Sequence, residues 1–355
     1  MESMGLNFWK GKRVFLTGHT GFKGGWLAHW LHLLGADVCG FSLAPNTAPN
    51  FFELTHVEKL LHHVIGDIRH YSSLEKTVLD FDAEIVIHMA AQPLVIKSYE
   101  SPIETFATNA LGTAHLLEAA RKSKSTKVVL VITTDKCYEN NESGIAYREA
   151  DRLGGHDPYS NSKACAELIT QSFRDSFYAE KNVTLATARA GNVIGGGDWS
   201  ENRLIPDIIR AITHKEKLML RYPNAVRPWQ HVLESLSGYL VLIEKCFSDP
   251  KKYSESWNFG PNDSQHFSVQ QMVEKFHQKI ARPFEFEVFS NNDLKESQQL
   301  TLNIDKALHK LGWTPKYNTE ESIQKTVEWY NAWFNNEDMR TVTQKQIINY
   351  QEGIK

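Results

Sequence analysis

The sequence predicts an α/β chain: a doubly wound parallel sheet followed by a smaller, loop-rich C-terminal lobe. Three observations carry that prediction. Short apolar segments alternate with helical periodicities through the first half of the chain. Those segments are continuously hydrophobic rather than alternating, as strands are when helices cover both faces of a sheet. A glycine-rich turn joins the first such segment to the first helical one, and repeated βα units of this kind build a three-layer sandwich.

In order, "RVFLTG" (13–18), "ADVCGFS" (36–42), "HVIGD" (63–67), "EIVIHMA" (84–90), "KVVLVITT" (127–134) and "TLATARA" (184–190) read as strands. Between them, residues 24–35, 104–123 and 159–180 carry helical periodicity. After Arg189 the pattern changes to the loops "GNVIGGGDW" and "RYPNAVRPWQH", with a helix near 204–214. A helix over 235–247 follows, then "SWNFG", a strand able to rejoin the first sheet, and two later helices. No reading attaches to 336–355. The expected division is a dinucleotide-binding lobe, 1–190 with roughly 232–258, and a second lobe, 191–231 with 259–355.

With 355 residues, 41% of them hydrophobic, the chain can fill two lobes. A net charge of −3 with mixed signs speaks against nucleic-acid or membrane partners. The four cysteines, Cys39, Cys137, Cys165 and Cys246, make no CxxC or zinc spacing, and the 15 histidines are scattered, so no metal is expected. Free thiols, no apolar leader and no membrane-length apolar run predict a cytoplasmic protein.

"LTGHTGFKGG" sets Gly18, Gly21 and Gly24 between strand and helix, where glycines permit a tight turn and close approach of a pyrophosphate. The helix N-terminus then offers N–H groups to the phosphates. This is the Rossmann-like signature, and it predicts a dinucleotide. Asp67 in "GDIR" is placed to accept from an adenine amino group, or is a strand-ending helix cap. The second strand ends in Ser42, with neither the acid that selects NAD nor an arginine for a 2′-phosphate, so the residues leave NAD and NADP open. Lys23 either serves a phosphate or faces solvent.

"DPYSNSK" places Tyr159 and Lys163 four residues apart on one helix face, with Asp157 as N-cap and Pro158 first in the helix. A phenol near pKa ~10 is a poor base at neutral pH. A nearby ammonium and an oxidised nicotinamide would favour its phenolate.

Together "TGHTGFKG", "GDIR", "HMAAQ", "NALGTAHLLEAA", "TTDKCY", "YSNSK" and "LGWTPKYNTEESIQKTVEWY" resemble the extended short-chain dehydrogenase/reductase family over nearly the whole chain. The resemblance implies bound NAD, contacted by Gly18, Gly21, Phe22, Lys23, Gly24, Asp67, Ile68, Ala90, Ala91, Tyr159 and Lys163. It makes Tyr159 the base, Lys163 a grip on the nicotinamide ribose and Thr134 a partner of the reacting sugar oxygen. Asn109 becomes either a residue near this site or a buried amide satisfied by backbone.

Within the family, "TTDK" resembles the sugar-nucleotide 4,6-dehydratases: a simple dehydrogenase or epimerase has no use for Asp135 and Lys136. Asp135 matches the general acid. Lys136 stands where many relatives have a Glu that removes the C5 proton. It is either a neutral base or a charged group stabilising an enolate. "TTDKCYEN", "GGGDW" and "RPWQHV" imply a CDP-hexose substrate; a 4-epimerase, a dehydratase of another nucleotide sugar and a non-catalytic NAD sensor are the alternatives.

In the second lobe, Arg221 and Arg227 offer guanidinium forks for a pyrophosphate or stack on Tyr222 or Trp229. The resemblance favours Arg227, with Asn192 near it. Asp198 and Trp199 are either base- or sugar-pocket residues or an anchored loop, and Leu204 begins a helix over the base. By resemblance the helices at 104–123 and 159–180 form a four-helix contact in a homodimer or dimer of dimers; Leu168, Phe173 and Phe177 are either apolar surface for it or intrachain core.

Overall fold

A computed structural model describes residues 6–141, 144–220, 222–262, 267–288 and 300–353. Its main sheet comprises β1 (Arg13–Thr17), β2 (Asp37–Ser42), β3 (His62–Ile65), β4 (Ile85–His88), β5 (Val128–Ile132), β6 (Thr184–Ala190) and, past three short strands, β10 (Ser256–Phe259). These seven pair in parallel in the order β3-β2-β1-β4-β5-β6-β10. The short strands β7 (Val193–Ile194) and β8 (Leu218–Leu220) pair with β9 (Gln230–His231) and β11 (Phe286–Val288) respectively, away from the main sheet.

Continuous hydrophobicity resolves into two cores. Val128, Leu130 and Ile132 of β5 join one cluster with Trp26, Trp30, Leu236 and Leu240. Val129 and Val131 join the other with Leu74, Val78, Leu116 and Leu117. Alternate residues therefore feed opposite layers: helices Phe22–Leu33 and Val232–Ser248 on one face, Tyr71–Phe81 and Gly112–Lys122 on the other. The strand order reverses between β1 and β4, opening a crevice at their carboxyl ends, where open α/β sheets bind ligands.

Helices expected over 104–123 and 159–180 each carry a π-turn, at Ala107–Leu111 and Arg174–Tyr178. The first turns Asn109 wholly inward, where its amide bonds the Gln92 backbone N–H at 2.8 Å and carbonyl at 3.0 Å, and the Ser162 hydroxyl at 2.9 Å. It is the satisfied buried amide of the two readings. As expected, β10 rejoins the sheet beside β6.

The last stretch, silent in sequence, forms helix Met339–Glu352. Tyr350 packs edge-on against Trp30, and the Trp329 indole donates to Thr343 at 2.9 Å. Beneath it Glu234 is buried, accepting from Tyr350 Oη (2.9 Å) and the N–H groups of Lys316 (3.0 Å) and Tyr317 (2.8 Å). Burial pushes that carboxyl up to about 7. No described helix is long and apolar enough to cross a membrane.

Candidate active site

A cavity of about 990 Å³ runs along the carboxyl ends of the strands. At its floor, the loop after β1 crosses itself closely. Gly18 has φ +81°, and a Cβ there would lie 2.8 Å from the Ala90 nitrogen; a Cβ on Gly24 would lie 2.1 Å from the Gly18 oxygen. No side chain caps helix Phe22–Leu33 at Gly21, and Gly18, Gly21, Phe22, Lys23, Gly24, Ile68, Ala90 and Ala91 line the cavity. A backbone cradle at an uncapped helix N-terminus fits a pyrophosphate.

Asp67 also lines the cavity, but its carboxylate is engaged by Arg69, Nε to Oδ2 at 2.9 Å, which lowers its pKa. Ser42 bonds Thr20 between hydroxyls at 2.7 Å. Lys23 neither reaches solvent freely nor stands alone. Its ammonium donates to Tyr239 Oη at 2.9 Å, and burial, with Lys163 and Arg203 nearby, lowers it to about 7.

The chemistry-bearing groups gather where β5 ends. Thr134 is extended and caps a short 3₁₀ turn, Asp135–Cys137, its Oγ1 accepting the Lys136 N–H at 3.3 Å and donating to Asp135 Oδ1 at 2.9 Å. Burial raises the Asp135 pKa, opposed by Lys136, the Thr134 bond and Arg227. Gly191 permits that packing, since a Cβ there would meet Asp135 Oδ2 at 3.1 Å. Lys136 lines the cavity beside it.

Helix Pro158–Phe173 supplies the rest, with Asp157 capping it by accepting the Ser160 N–H at 2.9 Å, as the sequence predicts. Tyr159 and Lys163 are both buried on its inner face. Lys163 donates to the Ile132 carbonyl at 3.0 Å, tying helix to strand end, and burial lowers it to about 8. Tyr159 shifts the other way. Burial outweighs its neighbours and pushes the phenol up to about 12, with the Thr134 hydrogen bond and Arg203 pulling the other way. Lys163 is turned toward backbone instead.

Among the second-lobe candidates, Asn192, Asp198, Leu204 and Arg227 line the cavity. Arg227 is buried and donates to the Val226 carbonyl at 3.0 Å. Arg221 lies outside the described residues. Trp199 is a correction: its ring sits edge-on between Tyr330 (5.6 Å) and Trp333 (4.7 Å), away from the cavity, so it anchors the loop. Asp198 pairs with Arg203 at 3.0 Å. Arg203, whose charge reaches both Tyr159 and Lys23, was missed, because an arginine in a polar loop looks like surface.

A buried phenol, a carboxyl whose pKa burial raises and an ammonium, set beside a dinucleotide cradle, can move protons around one small ring. The comparisons agree. The chain is 46% identical to the CDP-glucose 4,6-dehydratase of Salmonella typhimurium, over 97% of each chain. It is 27% identical to the dTDP-D-glucose 4,6-dehydratase of Homo sapiens, over 94% of each. Its fold matches an epimerase from Methanothermobacter thermautotrophicus (TM-score 0.79, 21% identity, 95% of this chain and 96% of that one). It also matches a Bacillus anthracis dTDP-glucose 4,6-dehydratase solved with NAD (TM-score 0.75, 23% identity, 94% and 100%). A family model described as GDP-mannose 4,6 dehydratase matches residues 15–326, and the chain belongs to that family, among the extended short-chain dehydrogenases/reductases.

Proposed function

We propose that the chain dehydrates CDP-D-glucose to CDP-4-keto-6-deoxy-D-glucose as a hydro-lyase with tightly bound NAD. The observation that carries this reading is the buried Asp135, its pKa raised, on the same cavity as Tyr159 and Lys163. The 46% identity to an enzyme named for that reaction supports the nucleotide. NAD, when bound, takes a hydride from C4 and returns it to C6, and its cationic ring favours the Tyr159 phenolate.

Tyr159 takes the proton of the C4 hydroxyl while Thr134 holds the same oxygen. Lys163 orients the cofactor ribose from its seat on the Ile132 carbonyl. The C4 ketone makes the C5 proton acidic. A base removes it, the C5–C6 double bond forms, and Asp135 protonates the departing C6 hydroxyl, which leaves as water. Burial serves that step by raising the Asp135 pKa, which favours the protonated form that an acid needs. Adding the returned hydride at C6 and a proton at C5 completes the product.

Lys136 is the C5 base, or a cation stabilising the enolate. A Lys136→Met variant decides: if it still forms the ketone and exchanges C5 hydrogen fully with deuterated solvent, the base role is lost. Gly18, Gly21, Phe22, Lys23, Gly24, Asp67, Ile68, Ala90 and Ala91 hold the dinucleotide; Asn192, Asp198, Leu204 and Arg227 hold the sugar nucleotide.

The finer reading places the enzyme in the cytoplasm, in dideoxysugar synthesis for O-antigen. Its lobes divide at 1–190 with about 232–258 against 191–231 with 259–355. A homodimer or dimer of dimers would use the helices at 104–123 and 159–180, where Leu168 is 54% and Phe177 42% exposed, with Phe173 partly buried.

The test is incubation with CDP-, dTDP-, UDP- and GDP-glucose carrying deuterium at C4. A 4-keto-6-deoxy product from the CDP sugar, with the label on its methyl group, is expected. A C4 epimer, or a methyl group without label, overturns the proposal.

A further inference from the structure

The turn bearing Thr134, Asp135, Lys136 and Cys137 is flanked by Thr133 and Tyr138, and a single buried ion pair holds both flanks. Thr133 Oγ1 donates to Glu167 Oε1, and Arg189 Nη1 donates to Tyr138 Oη at 2.7 Å. Glu167 and Arg189 are joined to each other twice, at 2.9 and 2.7 Å, and their side chains are only 2% and 3% exposed. Neither lines the cavity.

Further bonds hold this pair in place. Glu167 Oε2 also accepts from Thr187 at 2.8 Å and Ser256 at 3.3 Å. Tyr138 Oη donates to Asn258 Oδ1 at 2.8 Å, and the Arg189 guanidinium lies over its ring at 4.9 Å. The start of the turn is thus fixed to helix Pro158–Phe173, and its end to β6 and β10. A buried ion pair stabilises a fold no better than apolar side chains of the same volume, because desolvating two charges offsets their attraction. What it adds is direction. An acid must stand within hydrogen-bond reach of the oxygen it protonates, and small misplacements cost rate steeply.

We propose that Glu167 and Arg189 are positioning residues for the loss of water: through Thr133 and Tyr138 they hold the acid-bearing turn in register with the substrate. The inference rests on the dehydratase reading. Oxidation at C4 takes its base and its cofactor grip from Tyr159 and Lys163, which sit on the helix itself, and only the hydrogen bond of Thr134 from the turn. Protonation of the C6 hydroxyl depends on Asp135, which sits on the clamped turn. Loosening the clamp therefore slows the second step more than the first.

Thr133→Val and Tyr138→Phe each remove one bond to the clamp and leave the ion pair intact. In the NAD-loaded enzyme turning over CDP-glucose, the near-ultraviolet absorbance of reduced nicotinamide reports the balance of the two steps. Each variant should hold a severalfold larger fraction of its cofactor reduced, with kcat down about tenfold to a hundredfold. KM and melting temperature should stay close to wild type, and Thr133→Ser should restore both readings.

A reduced fraction equal to wild type in the variants that fold, whether or not kcat falls, overturns the clamp. If one variant fails to fold, the other decides. A wild-type chain that makes no 4-keto-6-deoxy product overturns the dehydratase reading, and this inference falls with it.

Discussion

The two ends of the cavity are built on opposite plans. Where β5 meets helix Pro158–Phe173, side chains are buried and bonded to partners far away in sequence: Lys163 to Ile132, Thr133 to Glu167, Tyr138 to Arg189 and Asn258. Near the ends of β2 and β3 the plan is looser: Asp67 is bonded to its near neighbour Arg69, and the buried Ser42–Thr20 hydroxyl pair ties β2 to the glycine loop. Leu43 there is 54% exposed. The first end is arranged before any ligand arrives, and burial displaces the pKa values of Asp135, Tyr159 and Lys163. The second can adjust to a ligand at little cost. Reaction geometry is wired in, while dinucleotide affinity is left to local contacts.

Substitutions at each end can break this comparison, and the largest effect belongs to the first. Asp135→Asn keeps the shape and removes the proton, so product formation should fall about 10²–10⁴-fold, the usual worth of a general acid. A smaller loss would mean another group protonates the leaving oxygen.

Lys163 gives a pH signature. Burial disfavours its ammonium, so it loses its charge near pH 8 rather than at ~10.4, and activity that needs the charge declines as pH rises through that value. The decline should approach tenfold per pH unit above pH ~8. Lys163→Met should be slow and lack that limb; a limb that persists would place it on another group.

At the other end, Asp67→Ala should weaken NAD about tenfold, the worth of one hydrogen bond to a charged group, with kcat unchanged. Isothermal titration with NAD checks the first claim and saturating kinetics the second. A loss of kcat would show that the two ends are not independent.

Smallest for catalysis is Glu234→Gln, remote from both ends. Burial raises the Glu234 pKa from ~4.3 to about 7, so the folded state holds the proton more tightly than the unfolded one. Wild type should therefore lose stability as pH rises through that window and level off above it. The variant should lack that contribution while keeping its activity, which melting curves across the window would show.

Much of the first end was legible in the sequence. β5 ends on Thr134, Asp135 and Lys136, and Tyr159 and Lys163 share a helix face, because strand and helix periods determine which neighbours meet. The clamp was not read, since Glu167, Arg189 and Asn258 come from three separate elements. One signal existed: Glu167 lies four residues beyond Lys163, so it had to share that buried face. The Tyr159 shift escaped because an ammonium four residues away says nothing of how deeply both are buried. Trp199 stayed between two readings for a related reason, as its partners Tyr330 and Trp333 come from a helix more than a hundred residues later. Helix Met339–Glu352 has an apolar side chosen by tertiary partners rather than by a strong period of its own.

The return of the chain to the sheet at Ser256–Phe259 bears on how the molecule could be cut. β6 is buried along its whole length, and its outer rim is covered by β10. A fragment ending after Ala190 would bare the hydrogen-bonding groups of a buried seven-residue strand, an invitation to stick to other chains. Recombinant halves of this protein should precipitate alone, and co-expression of the remainder should rescue them.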